Sequence, residues 1–293
     1  MSKISLPPYI IITSVKDEAA HLRTVVASLC AQDTVPVRWY ITDDGSSDGS
    51  LDILREAAYS FPFITLIEKP PRTGRCWGVQ YRNMNEMYAR AVDELGESFY
   101  YVGVHDADVA VDPDFYTRLL TEALRYPSLG MIGGVIYQPN PKTGEWRNRS
   151  ENASDSVPGS VLISRKAFDT VGGYTPMELG ETDWLFQQDA MRLGFGIKVV
   201  KEAVLREYRK TANTTIKGSF KAGKMDASVG SDFLFEVLKC ARRALHSPLG
   251  LNGILRLAGY LSYRATRKPS VGPERYNYLR SIQRAKLSGK RAA

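Results

Sequence analysis

The sequence predicts an α/β protein: a mainly parallel sheet with flanking helices over residues 1–205, then a basic, mainly helical extension over 206–293. Three observations carry this expectation. Short β-rich apolar runs alternate with helix-period segments through the first 205 residues, the signature of successive βα units. Acidic residues recur directly after several of these runs, at the sheet edge where open α/β sheets bind ligands. The charge is also divided: of 39 Lys and Arg and 32 Asp and Glu, residues 206–293 carry 19 and 5, which leaves 20 and 27 for residues 1–205.

The elements follow in order. "YIIITS" (9–14) reads as a strand, and "EAAHLRTVVASLC" (18–30) as a helix with Leu22, Val25, Val26, Leu29 and Cys30 at helical spacing. "VRWYIT" (37–42) is a second strand, "DDGSSDGS" (43–50) a polar loop and 50–60 a helix. "FITLIE" (63–68) gives a third strand, "KPPRTGR" (69–75) a loop and 78–95 a long helix. A fourth strand, "FYYVGV" (99–104), runs into "HDADVAVDP" (105–113), after which Pro113 opens a helix to Tyr126. A strand over 130–138, a long polar loop over 139–157, a strand and helix within 159–174 and a helix and last strand within 181–200 complete the body.

Composition narrows the class. At 293 residues with 43% hydrophobic content the chain can bury a core, and the three cysteines lack the spacing of a metal site. No opening stretch reads as a secretory leader and no eighteen-residue apolar run occurs in the sequence, so the expected location is cytoplasmic, with peripheral attachment to the inner face of the membrane as an extension of that reading.

Asp106 and Asp108 stand two positions apart at a strand end, where both carboxylates could reach one hard cation such as Mg²⁺ or Mn²⁺. The competing reading is a solvated turn before Pro113. Asp43 and Asp44 follow the second strand and could accept from a base N–H edge or a sugar hydroxyl; a plain Asp/Ser/Gly turn fits equally. A calcium loop starting at Asp44 fails because its bidentate acid would fall on Arg55. Arg72, Arg75 and Arg82 surround Gly74 in a loop suited to phosphate oxygens or to plain solvation. Asp183 reads, on its own, as an acidic first helical turn, and His105 as a core or supporting residue.

Taken together these segments resemble family 2 glycosyltransferases of the GT-A fold, a Rossmann-like mixed sheet flanked by helices that binds nucleotide-diphospho-sugars. "IIITSVKDEAAHL" resembles the family's opening PxYNE segment, "ITDDGSSDGS" its nucleotide loop, "RTGRCWGVQYRN" its GxxxARN segment and "HDADVAVDP" its DxD motif. "AFDTVGGY" resembles its acceptor-side segment and "TDWLFQQDAMRLGFGI" its EDxxL helix. The resemblance implies Asp183 as catalytic base and Asp106 and Asp108 as metal ligands. It implies donor contacts at Ser14, Lys16, Glu18, Asp43, Asp44, Ser46, Arg72, Gly74, Arg75, Arg82, Asp106 and Ala107. Gly172, Gly173, Tyr174, Thr182 and Trp184 would lie on the acceptor side. Residues 1–110 would then form a nucleotide-sugar half and 111–205 an acceptor half. Ser14, Lys16 and Thr182 depart from the family's Pro, Tyr and Glu, and no QxxRW motif follows, which argues against a processive synthase.

The implied reaction is a metal-dependent inverting transfer from a nucleotide-diphospho-sugar to a hydroxyl of a carbohydrate or lipid-linked acceptor, non-processive and serving surface polysaccharide or oligosaccharide assembly. The basic segments 231–247 and 251–268 are amphipathic and suit an anionic membrane surface or a core; no nucleic-acid motif accompanies them, and no nucleic-acid partner is expected. Two alternatives stand beside this reading. One is a haloacid-dehalogenase-like phosphatase with Asp106 as nucleophile, although three strand patterns precede that residue. The other is a non-catalytic nucleotide-sugar-binding, membrane-docking protein.

Overall fold

The computed structural model describes residues 5–74, 76–140, 143–149, 157, 160–209, 216–246 and 251–289. Two units divide the chain, one comprising Met1–Pro176 with Asp189–Lys210 and the other Met177–Gln188 with Thr211–Ala293.

The first unit opens with β1 (Tyr9–Val15), α1 (Ala19–Cys30), β2 (Arg38–Asp43), α2 (Ser50–Ser60), β3 (Ile64–Glu68), α3 (Trp77–Leu95) and β4 (Tyr101–Val104). β1 lies centrally among these, parallel to both β2 and β4, and β2 is parallel to β3. Tyr9, Ile10, Ile11 and Ile12 are all fully buried, as a strand covered on both faces requires. The apolar face of α1, namely Leu22, Val25, Val26 and Leu29, is the buried one.

Beyond β4 the sheet becomes mixed. β5 (Val109–Val111), α4 (Phe115–Arg125), β6 (Leu129–Pro139), β7 (Trp146–Asn148), β8 (Val161–Ser164), α5 (Arg165–Val171), α6 (Thr182–Arg192) and β9 (Gly196–Glu207) follow. The strand order is β3-β2-β1-β4-β8-β6-β9-β5, with β7 paired to β6. β8 runs antiparallel to both β4 and β6, β6 is parallel to β9, and β9 is antiparallel to β5. Two expectations are corrected here. The stretch 139–157 is not all loop, because Trp146–Asn148 pairs with the end of β6. The last strand does not stop near 200 but continues through residue 205 to Glu207.

In the second unit, α6 begins at Thr182, and α7 (Ile216–Ser228), α8 (Phe233–His246), α9 (Leu251–Thr266) and α10 (Pro273–Leu287) form the basic extension. α7 and α9 cross where both are glycine: a Cβ on Gly223 would collide with the Arg256 carbonyl, and one on Gly259 with the Phe220 carbonyl. α10 is tied to the start of α8 by Gln283, which accepts from Asp232 N at 2.7 Å, and by Arg280, 2.8 Å from the Asp232 carboxylate. Arg256, 6% exposed, lies between Asp226 and Glu236, with its Nε 3.1 Å from Glu236 Oε1. Among the described residues no helix is long and apolar enough to cross a membrane.

Candidate active site

The nucleotide-loop candidates sit at the carboxyl end of β2. Asp43 is fully buried; its Oδ2 accepts from Gly45 N at 3.1 Å and Ser46 N at 3.0 Å, which closes the loop on itself. Its Oδ1 is buried with no hydrogen-bond partner among the described residues. A buried carboxylate oxygen without a donor is costly, so it marks a position built to receive an N–H or O–H.

Gly45 has φ +71°, and a Cβ there would collide with the Pro70 carbonyl, so this turn and the 69–74 loop approach as only glycine allows. Lys16 ties the two loops together, donating to Gly45 O at 2.5 Å and Arg72 O at 2.9 Å. The Arg72 guanidinium meets the buried Asp44 carboxylate, and that hydrogen bond raises the arginine's pKa.

Asp48, later in the same loop, braces two helix starts. Asp48 Oδ2 accepts from Ala19 N at 2.9 Å at the start of α1, and its Oδ1 accepts from Ser50 N at 3.0 Å at the start of α2. Desolvation opposes its ionisation, but the bonds from Ser50 and Ala19 outweigh it and hold its pKa below the usual carboxylate value. Ser46 Oγ accepts from Asp17 N, Ser50 Oγ accepts from Glu18 N, and Ser14 Oγ accepts from Asn83 at 3.3 Å. Gly74 and Arg82 are exposed; Arg75 lies outside the described residues.

Asp106, Ala107 and Asp108 occupy the turn between β4 and β5 rather than the strand itself, so strand alternation is not what orients the two carboxylates. Asp106 is half-buried, its backbone N donating to Ser160 Oγ at 3.0 Å; Asp108 is buried. His105 is fully buried with Nε2 2.8 Å from Val109 O and Nδ1 3.2 Å from Tyr116 OH. Its Nε2 must therefore donate to the carbonyl, leaving Nδ1 to accept from the tyrosine, and burial pushes its pKa down to about 4. It is a neutral packing residue.

The register of β5 against β9 sets Val109 opposite Glu207, and Tyr208 N donates to Asp108 O at 2.9 Å. The next residue, Arg209, reaches Asp108 Oδ2 at 2.9 Å and Glu18 Oε1 at 2.5 Å. Sequence reasoning missed this arginine because it depends on a strand longer than the apolar pattern and on an antiparallel partner of only three residues. No sequence signal marked it, because the apolar pattern of the last strand ends near residue 200, well short of Arg209.

Gly172, Gly173 and Tyr174 terminate α5. Asn85 on α3 accepts from Tyr174 N at 2.9 Å and donates to Tyr174 O at 2.8 Å, and the buried tyrosine ring lies 5.0 Å from that of Tyr81. In the second unit Thr182 Oγ1 accepts from Met177 N at 3.2 Å, Asp183 lies in the first turn of α6, and Trp184 packs against the cluster of Met177, Leu185, Val229 and Leu279. Glu181, just before them, takes the left-handed φ of +69°, rare for a residue with a side chain. Burial, and then Asp226, raise its pKa against the opposing pull of Lys239, Arg256 and Arg243.

Among the described residues no three His, Cys, Asp or Glu side chains cluster as a metal site. Asp106 and Asp108 nevertheless supply hard oxygens suited to Mg²⁺ or Mn²⁺, provided that phosphate and water complete the coordination. The phosphatase reading fails on topology, since its motif belongs after the first strand and here it follows β4.

Comparison with known proteins agrees with this arrangement. Among curated relatives, the succinoglycan biosynthesis protein ExoA of Rhizobium meliloti is 26% identical over 175 residues, 54% of this chain and 50% of that protein. An N-acetylglucosaminyl-diphospho-decaprenol L-rhamnosyltransferase of Mycobacterium tuberculosis is 24% identical over 244 residues, 71% of this chain and 75% of that one. The chain thus spans half the length of the first relative and three quarters of the second.

Two solved structures share the fold. A mannosyltransferase of Pyrobaculum calidifontis in complex with GDP-Man and Mn²⁺ has a TM-score of 0.55 at 15% identity, covering 99% of this chain and 77% of that chain. TarS of S. aureus has a TM-score of 0.55 at 12% identity, covering 96% and 53%. The family model described as "Glycosyl transferase family 2" matches residues 10–185, more than half of the sequence. On that match, and with a mixed sheet that carries acidic turns at the ends of β2 and β4, the chain belongs to glycosyl transferase family 2 and has the GT-A fold.

Proposed function

We propose that the protein transfers a sugar, with inversion, from a nucleotide-diphospho-sugar to a hydroxyl of a lipid-linked or polysaccharide-related acceptor. The observation that carries the donor side is Asp43, whose Oδ1 is fully buried at the carboxyl end of β2 without a partner among the described residues. That oxygen suits the N–H edge of a base. Lys16, Glu18, Asp44, Ser46 and the Arg72 loop frame the same edge, with Ser14, Gly74, Arg75, Arg82 and Ala107 assigned to it by motif alone. Asp106 and Asp108 would hold Mn²⁺ or Mg²⁺, which supplies positive charge against a departing diphosphate.

Asp183 would take the proton of the acceptor hydroxyl as that oxygen attacks the anomeric carbon from the side opposite the diphosphate, which inverts the configuration. Thr182, Trp184, Gly172, Gly173 and Tyr174 are assigned to the acceptor by motif alone. The named activities of the two curated relatives, succinoglycan biosynthesis and rhamnosyl transfer to a decaprenol-linked sugar, support this acceptor class.

We further propose that α8 and α9 rest on an anionic bilayer on the cytoplasmic side. The exposed face of α9 runs Leu251, Ile254, Ala258, Leu261 and Ala265, all apolar and at helical spacing; Phe233, Leu234, Leu238 and Ala241 do the same on α8. Ile254 is 65% and Leu234 58% exposed. Arg264, Arg267 and Lys268 are exposed beside this face, which would set like charges against each other in a pair of copies but suits anionic headgroups.

The test is thermal unfolding with UDP, GDP, dTDP and CDP, with and without Mn²⁺, on the wild type and on Asp108→Ala. A ligand at about 100 times its dissociation constant stabilises the native state by about 2.7 kcal/mol. A shift for one nucleotide that is larger with Mn²⁺ and smaller in Asp108→Ala is the expected result. No shift with any of the four removes the donor assignment.

A further inference from the structure

Arg209 stands in an arrangement that neither the motifs nor the family match assigns. Its side chain is 42% exposed, whereas the two carboxylates it holds, on Glu18 and Asp108, are 7% and 8% exposed. The contacts are specific: Nε donates to Asp108 Oδ2 at 2.9 Å and Nη2 to Glu18 Oε1 at 2.5 Å. The backbone fixes where it stands, because Tyr208 N donates to Asp108 O and Gln138 Nε2 donates to Arg209 O at 3.4 Å. The Tyr208 ring is in turn packed on His21 at 5.0 Å and Trp146 at 5.3 Å.

A guanidinium carries five N–H groups in a rigid plane, arranged as two forks along two of its edges. The carboxylates take the Nε/Nη2 edge. Nη1 has no protein partner among the described residues, so the Nη1/Nη2 edge keeps three N–H groups for another acceptor. An arginine held rigid on one edge by buried acids has little rotamer freedom left to lose when its second edge meets an anion. Two parallel N–H groups match two oxygens of one phosphate.

We propose that Arg209 is a donor-binding residue: anchored by Glu18 and Asp108, it presents its outer edge to the diphosphate of the nucleotide and supplies phosphate affinity that needs no metal. This rests on the nucleotide-diphosphate reading of the site. It also gives Asp108 a second task, since one of its oxygens orients the arginine while the Asp106–Asp108 turn is assigned to a cation. By contrast Arg72, the arginine that the sequence favours for phosphate, is engaged by Asp44 and by Gly74 O at 2.8 Å.

The experiment compares Arg209→Lys and Arg209→Ala with wild type by calorimetric titration of the full chain. The titrants are the best-binding nucleoside diphosphate and its unphosphorylated nucleoside, each in EDTA and in Mn²⁺. Lysine keeps a cation between the two carboxylates but lacks the second fork, so Arg209→Lys isolates the outer edge from the structural pairing. The expected result is about a tenfold weaker diphosphate affinity for Arg209→Lys in both conditions, a larger loss for Arg209→Ala, and unchanged nucleoside affinity.

Unchanged diphosphate affinity in Arg209→Lys, or nucleoside and diphosphate weakened by the same factor, overturns the proposal and leaves Arg209 a structural counter-ion. Wild-type protein that binds none of the nucleotides overturns the underlying donor reading, and this proposal with it.

Discussion

Asp43 is asked to do two things, and a single substitution separates them. Its Oδ2 holds the backbone N–H groups of Gly45 and Ser46, and its Oδ1 is the buried oxygen without a partner among the described residues. Asp43→Ala removes both functions and strands two N–H groups, at about 1–3 kcal/mol each. Asp43→Asn retains one carbonyl oxygen, and the loop dictates which way the amide lies, because an amide NH₂ turned toward Gly45 and Ser46 would face two donors. The loop therefore keeps its acceptor at a cost of about 1–2 kcal/mol, the difference between charged and neutral bonds. The other position then becomes a donor.

A nucleobase N–H arriving there loses a charge-assisted bond and meets an N–H instead, worth about 2–3 kcal/mol or roughly a 30- to 150-fold loss of affinity. Calorimetric titration of the nucleoside diphosphate, paired with urea unfolding of the same samples, reads both quantities. Wild-type affinity in an Asp43→Asn protein whose stability has fallen would show that Asp43 only closes its loop.

Asp183→Asn should lower kcat by about 10²- to 10⁴-fold and leave nucleoside diphosphate affinity unchanged; a protein that only binds nucleotide sugar has no turnover to lose. Arg256→Met leaves Asp226 and Glu236 buried without their arginine and should destabilise the helical unit by about 3–5 kcal/mol, recovered largely when both acids are replaced by their amides. Glu181→Gln tests a pH dependence. Because burial raises the folded-state pKa above 4.5, the folded state binds the extra proton, so this residue's contribution declines as pH rises through 4.5 to the folded value. The glutamine variant should unfold later than wild type at pH 7 and together with it at pH 4; equal stability at both would remove the desolvated carboxyl from the account.

The regular elements were legible because their periodicities are local. α2 is found where its apolar spacing puts it, and α1, α3 and the strands β1 to β4 fall within about two residues of the patterns that predict them. Elements that depend on partners were not. β5 and β7 are three residues each, too short for any alternation to register, and exist because β9 and β6 supply edges for them. α10 carries a weak apolar stripe, and α7 and α10 are held by the Gly223–Gly259 crossing and by Asp232, which are tertiary facts.

The same division runs through the site. Asp43, Asp44, Asp106 and Asp108 are visible as acids after strands, whereas the Asp48 brace between α1 and α2 and the Arg209 clamp span 29 and up to 191 residues of chain. No spacing rule reaches that far.

The charge asymmetry also reads differently once burial is known, and it yields a prediction that separates surface from interior. Of the five acids in residues 206–293, Asp226, Asp232 and Glu236 are buried and paired with Arg256, Lys239, Arg280 and Arg284. What the extension shows to solvent is therefore more one-signed than its composition states, with Arg242, Arg243, Arg264, Arg267 and Lys268 all exposed. Cations near an anionic bilayer are worth about 1 kcal/mol each at low salt, and raising ionic strength from 0.1 to 1 M shortens the Debye length from about 10 to about 3 Å. Buried pairs are screened far less. Binding to phosphatidylglycerol vesicles should thus collapse in 1 M salt while the urea midpoint of the helical unit holds. Ile254→Ser with Leu238→Ser should weaken vesicle binding at low salt without shifting that midpoint, because both side chains are exposed. Vesicle binding that survives both high salt and the double substitution would show that α8 and α9 are not the docking face.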